Sequence, residues 1–326
     1  MKHISILVPK AAILGSLEGS RQILTQVNNF CMARGAAPLF EVQLVGLDKE
    51  TPISGGLYTV HARALLDEVQ KTDLIIIPAL DGDLSEAIEK NKEFIPWIVK
   101  HHRNGAEVAS LCLGAFLLAS TGLLHGRQCA THWAAANQFR SMFPDVNLVT
   151  EKIITDEHGL YSSGGAFSYT NLILHIVEKY AGAELAILCA KVFAIEIERE
   201  NQSAFIIFQG QKAHEDEPVK KAQEFIEQNF EDKITVDQLA GMLALGRRSL
   251  ERRFKRATSN TVIEYIQRVK IEAAKKSLEL SRKNVSEVMY DVGYTDSKAF
   301  RTIFKKITGV SPVEYRNKYN KEAVEV

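Results

Sequence analysis

Apolar residues recur along this chain in two different rhythms. Over about the first 180 residues, short β-rich runs alternate with helical patterns. Residues 4–8, 41–45, 73–78 and 107–112 read as strands, and Leu74, Ile75, Ile76 and Ile77 are apolar on both faces. Continuous runs of that kind suit a parallel sheet covered on both sides. Residues 20–33 carry Ile23, Val27 and Phe30 on one helical face, with Gly35 as a stop. The alternation predicts a doubly wound α/β domain over residues 1–200. Residues 201–217 read as a linker, ending in a charged stretch before Pro218. From 218 to 320 the pattern is helical throughout, over 219–229, 236–243, 247–257, 261–280, 284–291, 296–307 and 312–319. The second domain is therefore expected to be all-α.

One plan occurs twice in that second domain. Residues 236–243, Gly246 and 247–257 form helix, turn and helix, with Leu239, Leu243, Leu250 and Phe254 as apolar faces. Residues 285–292, Gly293 and 296–307 repeat it, with Val288, Val292, Phe300 and Phe304 inside. Helix pairs joined by a glycine-containing turn are helix-turn-helix units, whose second helix enters a major groove. The helix between them is about 30 Å long at ~1.5 Å per residue. That is close to the ~34 Å between successive major-groove faces. Val262, Ile266, Val269 and Ala273 form the stripe by which it would hold both heads.

Charge strengthens this reading. Formal net charge is zero, with 40 basic and 40 acidic residues, but residues 218–326 carry a net +7 and residues 1–217 a net −7. A basic module points to a polyanionic partner. Arg247, Arg248, Arg252, Arg253, Lys255 and Arg256 crowd one helix with Glu251 as its single acid. Lys298, Arg301, Lys305 and Lys306 decorate the other.

Residues 218–319 resemble the AraC-type DNA-binding domain. The resemblance rests on Leu239-Ala240, on Leu250 through Lys255, on Asp291 through Phe300, on Phe304 through Lys306, and on Gly309 through Arg316. It implies base reading by Arg248, Glu251 and Arg252 in the first head, and by Ser297, Lys298, Arg301 and Thr302 in the second. Arg247, Arg253, Lys305 and Lys306 are expected on phosphates. The sequence departs from the family at Gly246, where a capping Ser is usual, and at Ser259, Val262 and Met289.

The first domain has its own motif. Residues 107–111 run into Cys112 and then a helix opened by Gly114, the sequence of a nucleophile elbow. Such a turn exposes its residue at a helix N-terminus, where a thiolate is favoured. A small buried cysteine is the plainer alternative. His132 is the expected partner. Ser110 through Ala119, Gly122 through Arg127, Thr131 through Trp133, and Gly164-Gly165 with Leu174 through Glu178 make residues 1–200 similar to the class I glutamine amidotransferase-like (PfpI-like) superfamily, in its branch fused to AraC-type domains. That implies a flavodoxin-like fold, a metabolite-sensing pocket at Cys112, His132, Leu113 and Gly114, and Glu18 as a neighbour that could tune the thiol. No catalytic residue is assigned. The His-x-Glu pair of a glutaminase does not occur after residue 150, Leu113 stands where protease-like members have His, and Asn171 where the branch has Asp.

Cys31, Cys112, Cys129 and Cys189 are scattered, so neither disulfides, a metal nor a cofactor is expected. The expected protein is a cytoplasmic one-component transcriptional regulator. Its expected partners are double-stranded DNA, a small and nitrogenous effector, a second copy of itself and RNA polymerase, with no membrane role. The competing expectation is a thiol-dependent hydrolase or amidase, or a redox sensor, acting through Cys112.

Overall fold

The computed structural model describes residues 1–197, 201–212 and 214–320. The domain limit expected at residue 200, and Ala213 within the expected linker, lie outside the described residues. The chain divides into two compact units, Met1–Gln202 and Ser203–Val326.

The first unit opens with β1 (Lys2–Val8), α1 (Leu14–Ala33) and β2 (Phe40–Gly46). A hairpin of β3 (Glu50–Ile53) and β4 (Tyr58–His61) follows, then β5 (Ala64–Leu65) and β6 (Leu74–Ile77). Next come α2 (Leu84–Lys90), α3 (Phe94–Arg103), β7 (Glu107–Leu111) and α4 (Ala115–Ser120). The short β8 (Gln128–Cys129) pairs with β9 (Asn147–Leu148) around α5 (Ala136–Met142). The unit closes with β10 (Ile154–Asp156), β11 (Leu160–Ser163), α6 (Tyr169–Ala181) and α7 (Ala183–Val192). Seven strands form one sheet in the order β10-β11-β7-β6-β1-β2-β5. All its pairings are parallel except β10 with β11.

Each face of the sheet is covered, as the apolar run of β6 requires. Ile4, Ile6, Leu74 and Ile76 meet α1, α6 and α7, whereas Leu7, Ile75, Ile77 and Val108 meet α2 to α5. The first helix begins at Leu14, six residues before the sequence expectation. Gly15 and Gly19 obscure its first turn, and packing explains them. The Tyr169 hydroxyl donates to the Gly15 carbonyl at 2.8 Å, and a Cβ at Gly19 would stand 2.3 Å from that hydroxyl oxygen. The Ser16 hydroxyl accepts from the Ala79 amide at 3.0 Å, tying the turn to the end of β6.

The second unit contains α8 (Glu217–Gln228), α9 (Val236–Met242), α10 (Arg247–Thr258), α11 (Val262–Leu280), α12 (Val285–Asp291), α13 (Ser297–Thr308) and α14 (Pro312–Tyr319). Two small cores sit along α11. One joins Leu239, Leu250, Phe254, Val262 and Tyr265; the other joins Ile271, Ala274, Leu278, Phe300, Phe304 and Tyr315. The expected stripe of Val262, Ile266, Val269 and Ala273 is thus only part of the buried surface, because the helix serves a core on each of two sides. Lys270 is buried as well, and its ammonium donates to the Val292 carbonyl at 2.9 Å and the Asp232 carbonyl at 3.2 Å. Gly293, at φ 72°, makes this crossing possible, since a Cβ there would lie 1.9 Å from the Glu231 carbonyl oxygen.

One expectation needs correction here. Residues 203–211 are not a free linker: Ala204 and Phe208 join the two helical cores, because those cores leave apolar surface along α11 that the segment covers. Arg253, expected on a phosphate, already has a partner within the protein. Its guanidinium grips Asp216 with two hydrogen bonds of 2.8 and 2.9 Å, and Asp216 also caps α8 by accepting from the Val219 amide. Those Arg253 bonds hold the Asp216 carboxyl below its usual range, against the opposing effect of burial.

Two outcomes are expected. Gly293→Ala should destabilise the protein by about 2 kcal/mol or more; a loss within ~0.5 kcal/mol in urea denaturation would contradict the clash. An acid with a depressed folded pKa adds stability above its unfolded value near ~4, and loses it as pH falls through the folded one. The melting deficit of Asp216→Asn relative to wild type should therefore be full at neutral pH and shrink below about pH 4. A deficit constant across that range would count against the pair.

Candidate nucleic-acid interface and candidate effector pocket

The two candidate reading helices share a design. In α10, Leu250 and Phe254 are fully buried while Arg248, Arg252, Lys255 and Arg256 are exposed. In α13, Phe300 and Phe304 are buried while Ser297, Lys298, Arg301, Thr302, Lys305 and Lys306 are exposed. Burying one stripe of a short helix leaves the opposite stripe facing outward, so the apolar spacing itself aims the cations. Arg248 and Arg252 lie one turn apart on the same side.

The turns before them differ. Asp296 caps α13 by accepting from the Lys298 amide at 2.8 Å. Gly246 stands at the equivalent place before α10 and supplies no side-chain cap. Arg247 there reaches Asp237 at 3.0 Å and Glu251 at 3.4 Å. These pairs are exposed, and exposed ion pairs of this kind contribute little, roughly 0–1 kcal/mol, so a phosphate can replace them. Glu251 is half-buried beside Arg247, and the Thr302 hydroxyl is turned back onto the Lys298 carbonyl at 2.8 Å.

In the α/β unit, β7 delivers Cys112 into a sharp turn with φ 52°, a left-handed conformation costly for a residue with a Cβ. Gly114 allows the turn to close: a Cβ there would sit 2.5 Å from the Pro78 carbonyl oxygen. The exposure expected of an elbow is not found, because Cys112 is only 3% exposed. Burial pushes its thiol up to about 11, although the Leu113 amide donates toward it. The Cys112 amide donates to the Ser163 hydroxyl at 3.4 Å, and its carbonyl accepts from the Thr131 hydroxyl at 2.9 Å.

Neither expected neighbour activates it. His132 Nδ1 accepts from the Ala134 amide at 3.2 Å, and burial lowers the imidazole pKa, favouring the neutral ring. Glu18 sits on α1 rather than on a loop, held by Arg21 with two bonds of 2.7 Å; these bonds keep its carboxyl low and ionised. Among the described residues no hydrogen bond joins the Cys112 thiol to His132 or to Glu18. Among the same residues no group of His, Cys, Asp or Glu could hold a metal ion, and no helix is long and apolar enough to cross a membrane.

Gln202 escapes a reading of the sequence. Its amide donates to the carbonyls of Thr131 and Thr150 at 3.0 and 2.8 Å, filling the space that Gly164 leaves. Its Oε1 is buried without a hydrogen-bond partner among the described residues. The glycine pair carried the only signal of this insertion. Lys270 and Lys275 are missed too, although a lysine on the inner side of an apolar stripe is such a signal.

Comparisons with known proteins agree with both halves. Residues 239–318 match the helix-turn-helix domain model, and residues 33–179 match the DJ-1/PfpI family. The HTH-type transcriptional regulator ArgR of Pseudomonas aeruginosa is 27% identical over 216 residues, which is 66% of this chain and 65% of that protein. GbdR of the same species is 26% identical, with 61% of its length covered. The HTH-type transcriptional regulator CdhR of Pseudomonas aeruginosa is 22% identical over 95% of this chain and 90% of its own. A crystal structure of an AraC family transcriptional regulator from Pseudomonas putida shares the fold over 59% of this chain and all of its own, at 18% identity and a TM-score of 0.51. By these matches the chain is similar to the DJ-1/PfpI family in its first unit and to helix-turn-helix domains of transcriptional regulators in its second.

Proposed function

We propose that this protein is a sequence-specific DNA-binding transcriptional regulator whose α/β domain senses a small metabolite. The observation that carries the reading is the paired design of α10 and α13. Each buries its aromatic stripe on a core along α11 and turns a cationic stripe outward. Lys and Arg on phosphates supply salt-dependent affinity, and contacts to base edges choose the sequence. Arg248, Arg252, Lys298 and Arg301 are the base-reading cations, with Glu251, Ser297 and Thr302 beside them; Arg247, Lys305 and Lys306 take phosphates. The protein acts as a dimer on paired sites, with RNA polymerase as the machinery it influences.

The pocket beside Cys112 is read as a binding site without turnover. It is placed at Cys112, Leu113, Gly114 and His132, with Thr131 and Gln202 hydrogen-bonded beside them. A nitrogenous effector that entered here would donate to the Gln202 oxygen, which is buried without a hydrogen-bond partner among the described residues. A thermal-shift screen of amines and amino acids on the full chain tests this, since a bound effector raises the melting temperature.

DNA footprinting on genomic fragments is the decisive assay, and absence of any protected site at moderate salt would refute the reading. Arg252→Ala should relax preference at one base pair by about 1–3 kcal/mol. Lys305→Ala should weaken all sequences alike and reduce the salt slope by about 1. Equal effects of both across a panel of altered sites would undo that sorting. For Cys112, iodoacetamide labelling should still be accelerating above pH 9, as a thiol near 11 requires. A rate already level by about pH 8 would favour a hydrolase or redox sensor instead.

A further inference from the structure

One stretch of chain, residues 203–211, touches the cores beneath both reading helices. Ala204 is buried with Phe300 and Phe304 of α13, and the Phe205 ring stands edge-on to Tyr319 at 6.3 Å. Four residues after Ala204, Phe208 packs into the core beneath α10, edge-on to Tyr265 at 5.1 Å. The end of the stretch is fixed too. The Gln211 carbonyl accepts from the Gln223 amide at 2.9 Å, and its side chain accepts from Asn260 at 3.0 Å.

One side of α11 is given over to this seat. Tyr265, Arg268, Glu272 and Lys275 follow at spacings of three and four, so they line up along the helix. Lys275 is buried, and its ammonium donates to the Ile206 carbonyl at 2.5 Å and to Glu272 at 2.9 Å. Glu272 in turn accepts from the Phe208 amide at 3.1 Å. The Arg268 guanidinium lies 5.9 Å from the Phe208 ring. Apolar residues would fill such a groove at lower desolvation cost. What a charged latch adds is register: a carbonyl and an amide two residues apart fit it in only one alignment.

We propose that residues 203–211 are a brace fixing the separation and twist of the two reading helices, with Lys275 and Glu272 as its positioning residues. The proposal rests on the DNA-reading function above. A braced pair of heads fits one spacing of major-groove contacts, because each added base pair advances the duplex by ~3.4 Å and turns it by about 34°. An unbraced pair follows the groove to other spacings.

The test uses the full chain on its footprinted site and on duplexes with one or two base pairs inserted between the two major-groove contacts. Wild type should lose about tenfold or more in affinity for one inserted pair. Lys275→Met should reduce that penalty to about threefold or less, and Lys275→Arg should restore it. If Lys275→Met does not fold, Phe208→Ala is read by the same ratio. A role in packing alone would weaken every duplex by one factor and leave the ratio unchanged, which would overturn the brace while DNA reading stands. No complex between wild type and any duplex would overturn the DNA-reading function, and the brace with it.

Discussion

An ammonium group that cannot reach water has to be met by oxygen, and the helical unit is organised around that demand. α11 sinks two lysines: Lys270 is satisfied by backbone carbonyls far away in sequence, and Lys275 by one such carbonyl together with the Glu272 carboxylate. Lys270 draws the loop before α9 and the turn before α13 to the same point; Lys275 holds the segment that precedes α8. Leaving either charge unpaired would cost several kcal/mol, so these loops are not free to choose other positions. Hydrophobic burial makes the unit compact, but it is non-directional. The buried cations fix where its loops lie, while the apolar stripes of α10 and α13 aim their surface cations outward.

The α/β unit separates geometry from electrostatics in an instructive way. Cys112 keeps the strained backbone of a nucleophile elbow, and Gly114 lets the following helix start against the end of β6. Yet burial dominates the thiol, the imidazole of His132 is already engaged, and Glu18 is committed to Arg21. The strained turn is therefore present without the electrostatics that would arm a nucleophile. Thr131 and Gln202 are tied to the same turn through the Cys112 and Thr131 carbonyls.

Much of this was legible in the residues, for physical reasons. The four-residue apolar run of β6 can only be a strand covered twice, and stripes such as Leu250 with Phe254 fix both a helix and its orientation. Local patterns fail where a contact is long-range. Gly15 and Gly19 look like loop until Tyr169 is seen crossing them. Arg253 looks like one more surface cation until Asp216, 37 residues earlier, is found in its fork. Residues 203–211 have the mixed polarity of a tether, and their apolar members find a groove that only the folded helices create. Of the two readings open for Cys112 the buried one holds, because a turn motif specifies backbone shape, not what lies above it.

The buried lysines also divide labour with the surface ones. Exposed cations on α10 and α13 sit in the ionic atmosphere, where salt near 0.1 M screens them over about 10 Å. Lys270 and Lys275 are shielded from that atmosphere by the protein itself. Ionic strength can therefore loosen or tighten the hold on a polyanion without altering the shape of the hand. Strength of grip and choice of address become separately adjustable, one by the medium and the other only by mutation.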